Sequence, residues 1–297
     1  MTLLSAQNIT KSYGSIRAVD AMDLEIYAGE IVVILGHNGS GKTTFIECIE
    51  GLRRPDAGTV RIFGQPHSYG ARTPTGMGVQ LQEEQLPPRI KVKEALWLYT
   101  RIHSVDAPPV DLMEAMALTS LLNKKFDSLS SGQKRRVNLV LAFMGAPQLV
   151  VLDEPTAGLD PQARAALVEV LKRRRQDGLS VLTTLHEVDY AAALGDRVII
   201  MAHGQIRRQG TVDELLASIG TDACLSLPAG TDRRPWKEVG TIENGPEGTL
   251  VIFGMRSKLQ AAQEQLPGGL RGTLRPVDLG DVVTQAAQVS PVSVEDR

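Results

Sequence analysis

The chain has 297 residues, 42% of them hydrophobic and 22% charged, with a formal net charge of −2. That is an ordinary globular composition in a chain long enough for a sizeable core, and the near-neutral balance argues against general binding to nucleic acid or anionic membranes. Two cysteines, Cys48 and Cys224, stand far apart in no metal-ligand spacing, so two free thiols in a reducing compartment are expected.

No run approaches the ~20 apolar residues of a membrane span. The nearest candidate, LVLAFMGAPQLVVL at 139–152, is broken by Gly145, Pro147 and Gln148. The opening MTLLSAQNITKSYG has no basic n-region and its apolar run stops early, so no secretory signal is expected. The chain is expected to be cytoplasmic, or to sit on a membrane only through a partner.

Residues 2–28 alternate polar and apolar side chains and carry turn residues, as in LEIYAGE, and 56–66 do the same in DAGTVRIFG. Both stretches predict an antiparallel patch. Between them Ile31–Leu35 is a near-continuous apolar run, which reads as a buried parallel strand. Residues 83–128 show no clear strand and read as mostly helical. Leu149–Leu152, Val181–Leu185 and Val198–Met201 repeat the buried-strand pattern. After Asp160, residues Ala163, Ala166, Leu167, Val170 and Leu171 share one helix face. Lys172–Arg175 follow at its C-terminal end, where cations suit the dipole, and read as a solvated face, as do Lys134, Arg135 and Arg136. Strands alternating with helices predict a doubly wound α/β core. From about Leu216 the pattern weakens into a Gly-, Pro- and Thr-rich region with two strands (CLSL, TLVIF) and a helix at Ser257–Gln265. The expected organisation is a domain at 1–215, with a helical subdomain at about 83–145, and a small α+β extension at 216–297. The tail PVSVEDR reads as disordered.

IVVILGHNGSGKTT is an apolar strand, a glycine-rich loop and a helix start, and it fits G-x-x-x-x-G-K-[ST]. Gly36, His37, Asn38, Gly39, Ser40, Gly41, Lys42, Thr43 and Thr44 are therefore candidates to bind a nucleotide. Glycines let successive N–H groups turn toward phosphate oxygens, and the helix N-terminus adds positive potential. Lys42 is a point charge for the β- and γ-phosphates, and Thr43 offers a hydroxyl to Mg²⁺. VVLDEP at 150–155 ends another buried strand in two carboxylates. Ligands gather at the carboxyl ends of such strands, so Asp153 suits the Mg²⁺ shell and Glu154 is a candidate general base.

At this point the sequence resembles the nucleotide-binding subunits of ABC transporters, over roughly residues 2–215. LSSGQ at 129–133 is similar to the signature LSGGQ, and LDEPTAGLD at 152–160 resembles the Walker B and D-loop block. TTLHEVD places His186 as the switch histidine, GVQLQEE places Gln82 as the Q-loop glutamine, and KSYGSIRAVD places Tyr13 as the aromatic that stacks on adenine. The resemblance implies a P-loop NTPase core with an antiparallel β-subdomain and a helical subdomain. It also implies ATP and Mg²⁺ as ligands, with Gln82 a further Mg²⁺ ligand beside Thr43 and Asp153, and Glu154, His186 and Gln82 as the catalytic set. Two such cassettes meet head to tail in the family, so Ser130, Ser131, Gly132 and Gln133 would face the ATP of a partner cassette, with Asp160 at the dimer interface.

Two positions depart from the family pattern. Ser131 stands where the first signature glycine is usual, which a serine tolerates at negative φ. Lys91 stands where threonine commonly caps a helix, so an N-cap is expected to be missing there. The resemblance further implies separate integral-membrane permease subunits and a second copy of the chain or a related cassette, at the cytoplasmic face of the cell membrane. It implies no nucleic-acid partner. The stretch 78–96, the RRV after the signature and the short extension resemble exporters of the ABC-2 group more than importers. A soluble ABC ATPase of DNA repair or translation, an importer ATPase and a cassette that binds without hydrolysing remain as alternatives. The transported substrate leaves no mark in the sequence.

Overall fold

The computed structural model describes residues 1–80, 86–266 and 272–288. The chain divides into two compact units, the first running from Met1 to Thr211 and the second beginning at Val212. In order, the first contains β1 (Thr2–Tyr13), β2 (Ile16–Tyr27), β3 (Ile31–Leu35), α1 (Lys42–Ile49), β4 (Ala57–Ile62), β5 (Gln65–His67) and β6 (Met77–Gln80). There follow α2 (Val92–Ile102), α3 (Val110–Ala115), α4 (Ser131–Ala142), β7 (Leu149–Asp153), α5 (Pro161–Gln176), β8 (Ser180–Leu185), α6 (Val188–Leu194), β9 (Arg197–Ala202) and β10 (Gln205–Gly210).

The alternating stretches pair as the antiparallel sheet β2-β1-β4-β5. The continuous apolar runs form the sheet β10-β9-β3-β8-β7-β6, parallel except for β10 at its edge. Every residue of β3, β7 and β8 is buried, because helices and the other sheet cover both faces. Each Val, Ile or Leu so buried contributes about 1.5–3 kcal/mol of transfer free energy. Helix α1 places Phe45, Ile46 and Ile49 in one apolar cluster with Leu4, Ile9 and Ile26 of the antiparallel sheet and Val32 and Ile34 of β3. That packing fixes the start of α1, and with it the loop after β3.

β6 has no counterpart among the expected strands. Gly78 and Gln80 interrupt its apolar run, and Gly78 is required by the neighbouring helix: a Cβ there would lie 1.9 Å from the carbonyl oxygen of Ala142 in α4. Between α2 and α4, described helical structure is α3 and two 3₁₀ turns at Leu118–Leu121 and Phe126–Ser128. Lys91 precedes α2 and, having no acceptor, makes only half of a capping box: its N–H donates to Glu94 Oε2 (2.9 Å).

The second unit contains α7 (Val212–Ala217), β11 (Ala223–Leu227), β12 (Thr241–Asn244), β13 (Leu250–Gly254), α8 (Arg256–Glu264), β14 (Thr273–Pro276) and α9 (Leu279–Gln288). The antiparallel order β12-β13-β11-β14 is a ferredoxin-like arrangement, with the first crossover helix reduced to a 3₁₀ turn at Arg234–Trp236. Leu225, Ile252, Trp236 and Leu259 fill one face of this sheet, while Cys224, Val251 and Phe253 lie on the other. The sequence reading of two strands and one helix is corrected here. β12 (TIEN) and β14 (TLRP) are half-exposed edges with little apolar content, and α9 starts in a Gly- and Pro-rich context. Helix α8 begins one residue earlier than expected, and the tail PVSVEDR lies outside the described residues. Cys48 and Cys224 are both free and buried, and burial pushes each thiol up to about 11.

Candidate active site

The loop between β3 and α1 needs glycine at two points. A Cβ on Gly36 would fall 2.4 Å from the Met201 carbonyl oxygen, and Gly41, at φ +103°, would bring one within 2.0 Å of the Ala18 carbonyl oxygen. Gly41 also sits at the cap position of α1 with no side chain to offer, so the helix opens with uncapped N–H groups. Lys42 Nζ folds back onto the carbonyl oxygens of Gly36 (2.8 Å) and His37 (3.2 Å). Burial lowers the Lys42 pKa, and the carboxylates of Glu154 and Asp153 oppose that shift. The His37 ring donates from Nδ1 to the Asn38 carbonyl oxygen (2.7 Å) and stands edge-on to His203, centroids 5.9 Å apart. The loop opens into a pocket of about 330 Å³ lined by Asn38, Gly39, Gly41, Lys42, Thr43 and Thr44, with Ala18 and Glu154. Ser40 is buried beneath the loop.

β7 delivers Asp153 and Glu154 to the same place, although it does not touch β3: β8 lies between them. Asp153 is 3% exposed and accepts hydrogen bonds from the hydroxyls of Thr184 and Thr43. Burial raises its pKa, and those two hydroxyls pull it back. Glu154 turns the chain in the left-handed region at φ +50°, and its Oε1 meets Nε2 of His186. The phosphate loop, Asp153, Glu154 and His186 are thus brought together.

Other expected site residues lie elsewhere. Tyr13 ends β1 outside the pocket lining, 42% exposed, with the Arg53 guanidinium 5.3 Å and Lys11 Nζ 5.9 Å from its ring. Gln82 lies outside the described residues. Among the described residues, none of 129–136 lines the phosphate pocket. Ser130 caps α4 instead, accepting from the Gln133 N–H (3.3 Å) while Gln133 Oε1 accepts from the Ser130 N–H (3.2 Å). Ser131 is the first helical residue and has no positive φ, so serine is accommodated there.

The signature helix is braced against the segment after β7. Gly132 abuts the Gly158 carbonyl oxygen, which a Cβ would approach to 2.7 Å. Arg135 donates to the Ala157 carbonyl oxygen (3.2 Å), and Arg136 pairs with Asp160. Asp160 also caps α5 by accepting from the Ala163 N–H (2.8 Å), ahead of Pro161 at N1. Arg135 and Arg136 are therefore half-buried and tied down rather than a free solvated face, whereas Lys172 and Arg173 are exposed, as the solvated-face reading expects. Arg173 and Arg174 bind Asp111 of α3, and Arg175 binds Asp196. A run of basic side chains gives no hint of acidic partners 21–63 residues away in sequence. Sequence reasoning also missed Glu187, which accepts from Thr156 (3.1 Å) and Arg164 (2.9 Å), and Thr184.

A phosphate-binding loop, a buried aspartate and a glutamate–histidine pair at adjacent strand ends define a nucleoside-triphosphate hydrolase. Residues 19–157 match the family described as ABC transporter. The chain is 31% identical over 291 residues to the Nod factor export ATP-binding protein I of Rhizobium etli, covering 95% of this chain and 92% of that one. It is 31% identical over 231 residues to the linearmycin resistance ATP-binding protein LnrL of Bacillus subtilis, covering 76% and 74%. A solved dimeric ATP-binding cassette in a post-hydrolysis state with ADP and Pi superposes with TM-score 0.62 at 26% identity, over 70% of this chain and 98% of that one. The chain belongs to the ABC transporter family, as an ATP-binding and ATP-hydrolysing subunit.

Proposed function

We propose that the chain powers export through separate membrane subunits, with ATP closing two cassettes head to tail and hydrolysis releasing them. What carries this reading is the half-built pocket: the phosphate loop and Glu154 line it, and the signature residues 129–133 stand apart from it. A second cassette completes it by presenting Ser130 and the Gly132 N–H to the γ-phosphate. Glu154 takes a proton from the attacking water as the oxygen bonds to the γ-phosphorus and the bond to the β–γ bridging oxygen breaks, giving ADP and phosphate. His186 holds the Glu154 carboxylate from one side, and Lys42 neutralises the phosphates. Tyr13 is the adenine platform, and Asp160 carries the D-loop contact to the partner.

Asp153 and Thr43 suit Mg²⁺, which favours hard oxygen ligands. The buried Asp153 carboxylate is held by hydroxyl donors and its burial is only partly offset by the Lys42 charge, so a cation would offset the rest. Mg²⁺ would supply charge neutralisation of the β- and γ-phosphates, with Gln82 as a further ligand.

Among the described residues no helix is long and apolar enough to cross a membrane. α2 exposes Trp97 (61%), Leu98 (40%) and Ile102 (62%). Beside it a cleft of about 220 Å³, lined by Met77, Val79, Tyr99, His103 and Leu141, adjoins the strand that leads into 81–85. Exposed apolar side chains around a cleft are what a permease helix would cover, at the cytoplasmic face where ATP is found. Relatives named for Nod factor export and linearmycin resistance support the outward direction. Affinity capture of the full chain from detergent-solubilised membranes tests the partner: an integral-membrane protein should co-purify, and recovery with ribosomes or DNA instead would overturn the reading.

A further inference from the structure

Strand β8 is apolar on both sides except at Ser180, Thr183 and Thr184, and Thr184 is fully buried. Burying a hydroxyl is costly unless both its roles are met, and valine would fill the same space without that cost. In register, Thr184 pairs with Asp153 of β7 on one side and Ile34 of β3 on the other. Its hydroxyl donates to Asp153 Oδ1 and accepts from the Glu154 N–H (2.9 Å). An ionised carboxylate only accepts and an amide N–H only donates, so the hydroxyl hydrogen has a single orientation. Glu154 needs holding, because in the left-handed region the Cβ of a non-glycine residue crowds its own backbone. Its N–H goes to Thr184, its carbonyl oxygen accepts from the Ala157 N–H (3.1 Å), and its carboxylate meets His186, two residues beyond Thr184.

We propose that Thr184 is a positioning residue for hydrolysis, one hydroxyl fixing both the Asp153 carboxylate and the backbone of Glu154, so that the segment Thr184–His186 grips Glu154 at its amide and at its carboxylate. This rests on the reading of Glu154 as general base. Thr184 is not among the residues lining the phosphate pocket, so its effect falls on turnover and not on ATP affinity.

The test compares Thr184→Ser, Thr184→Ala, Thr184→Val and Glu154→Gln in the full chain, by ATPase kcat and KM, ATP affinity and thermal melting. Serine and alanine leave nearly the same cavity and differ only by the hydroxyl. Thr184→Ala and Thr184→Val should lower kcat by about ten-fold or more with ATP affinity within about two-fold, while Thr184→Ser recovers most of the turnover. Equal turnover by Thr184→Ser and Thr184→Ala, with Glu154→Gln inactive, would make Thr184 a packing residue and overturn the proposal alone. Turnover by Glu154→Gln at the parental rate would remove the general-base reading, and this proposal with it. If Thr184→Val fails to melt cooperatively, the serine–alanine pair still decides.

Discussion

Two loops rich in glycine and serine open helices in this chain, and they treat the helix N-terminus in opposite ways. α1 begins at Gly41, which has no side chain to cap it, so its first N–H groups stay available to phosphate. α4 begins at Ser130, whose hydroxyl and the Gln133 amide cap each other's backbone. Those two bonds are 3.3 and 3.2 Å, long for their type, and hence cheap to exchange for a better acceptor. The first loop is backed by a buried polar network from β7 and β8. The second is braced from the surface by Arg135, Arg136 and Asp160. On the proposed function, the site that binds from within its own chain is organised by burial, and the one that waits for a partner has its polar groups satisfied locally.

The comparison can be broken most sharply at Glu154. Glu154→Gln should lower turnover by about 100-fold or more while ATP is retained, since a positioned general base contributes on that scale. Steady-state ATPase rates and nucleotide binding check it, and His186→Ala should likewise reduce turnover more than binding. Lys42→Ala should weaken ATP binding by about 10- to 100-fold, the worth of a charge-assisted contact, without disturbing α4. Gly132→Ala sharpens the contrast. Its Cβ would meet the Gly158 carbonyl oxygen, so turnover should fall on the order of ten-fold through misfit of the braced surface. ATP affinity of the isolated chain, measured by calorimetry, should stay unchanged, because the phosphate pocket contains no part of that surface.

The smallest expected effect is on stability. The Arg174 guanidinium beside Asp111, joined by Arg173, lowers the Asp111 pKa to about 2. A carboxylate depressed in the fold contributes above its unfolded pKa of about 3.9 and loses that contribution as pH falls toward about 2. The tie between α3 and α5 should therefore add about 1–2 kcal/mol at neutral pH, and Asp111→Asn should remove it. Urea midpoints of parent and variant should differ at pH 7 and converge only as pH falls to about 2.

The chemistry-bearing residues were legible because their types are unusual where they stand. Lys42 in a glycine loop and paired carboxylates ending an apolar strand have few other uses. Four central strands were legible because burial on both faces leaves continuous apolar runs, whereas β6 was hidden by Gln80 and by Gly78, the latter required by the close approach of α4. Arg136, Arg174 and Glu187 were illegible as site or brace residues because their partners come from distant segments. Thr184 was illegible because a threonine in a strand is usually only β-branched filler. The C-terminal unit was half-read, since its edge strands β12 and β14 carry little apolar patterning.

In the proposed cycle the signature loop closes on a neighbour's nucleotide. Light scattering on Glu154→Gln, with Mg-ATP and then with Mg-ADP, is the decisive measurement. A dimer in ATP and a monomer in ADP are expected. A monomer in both, with ATP demonstrably bound, would contradict closure of this chain upon itself.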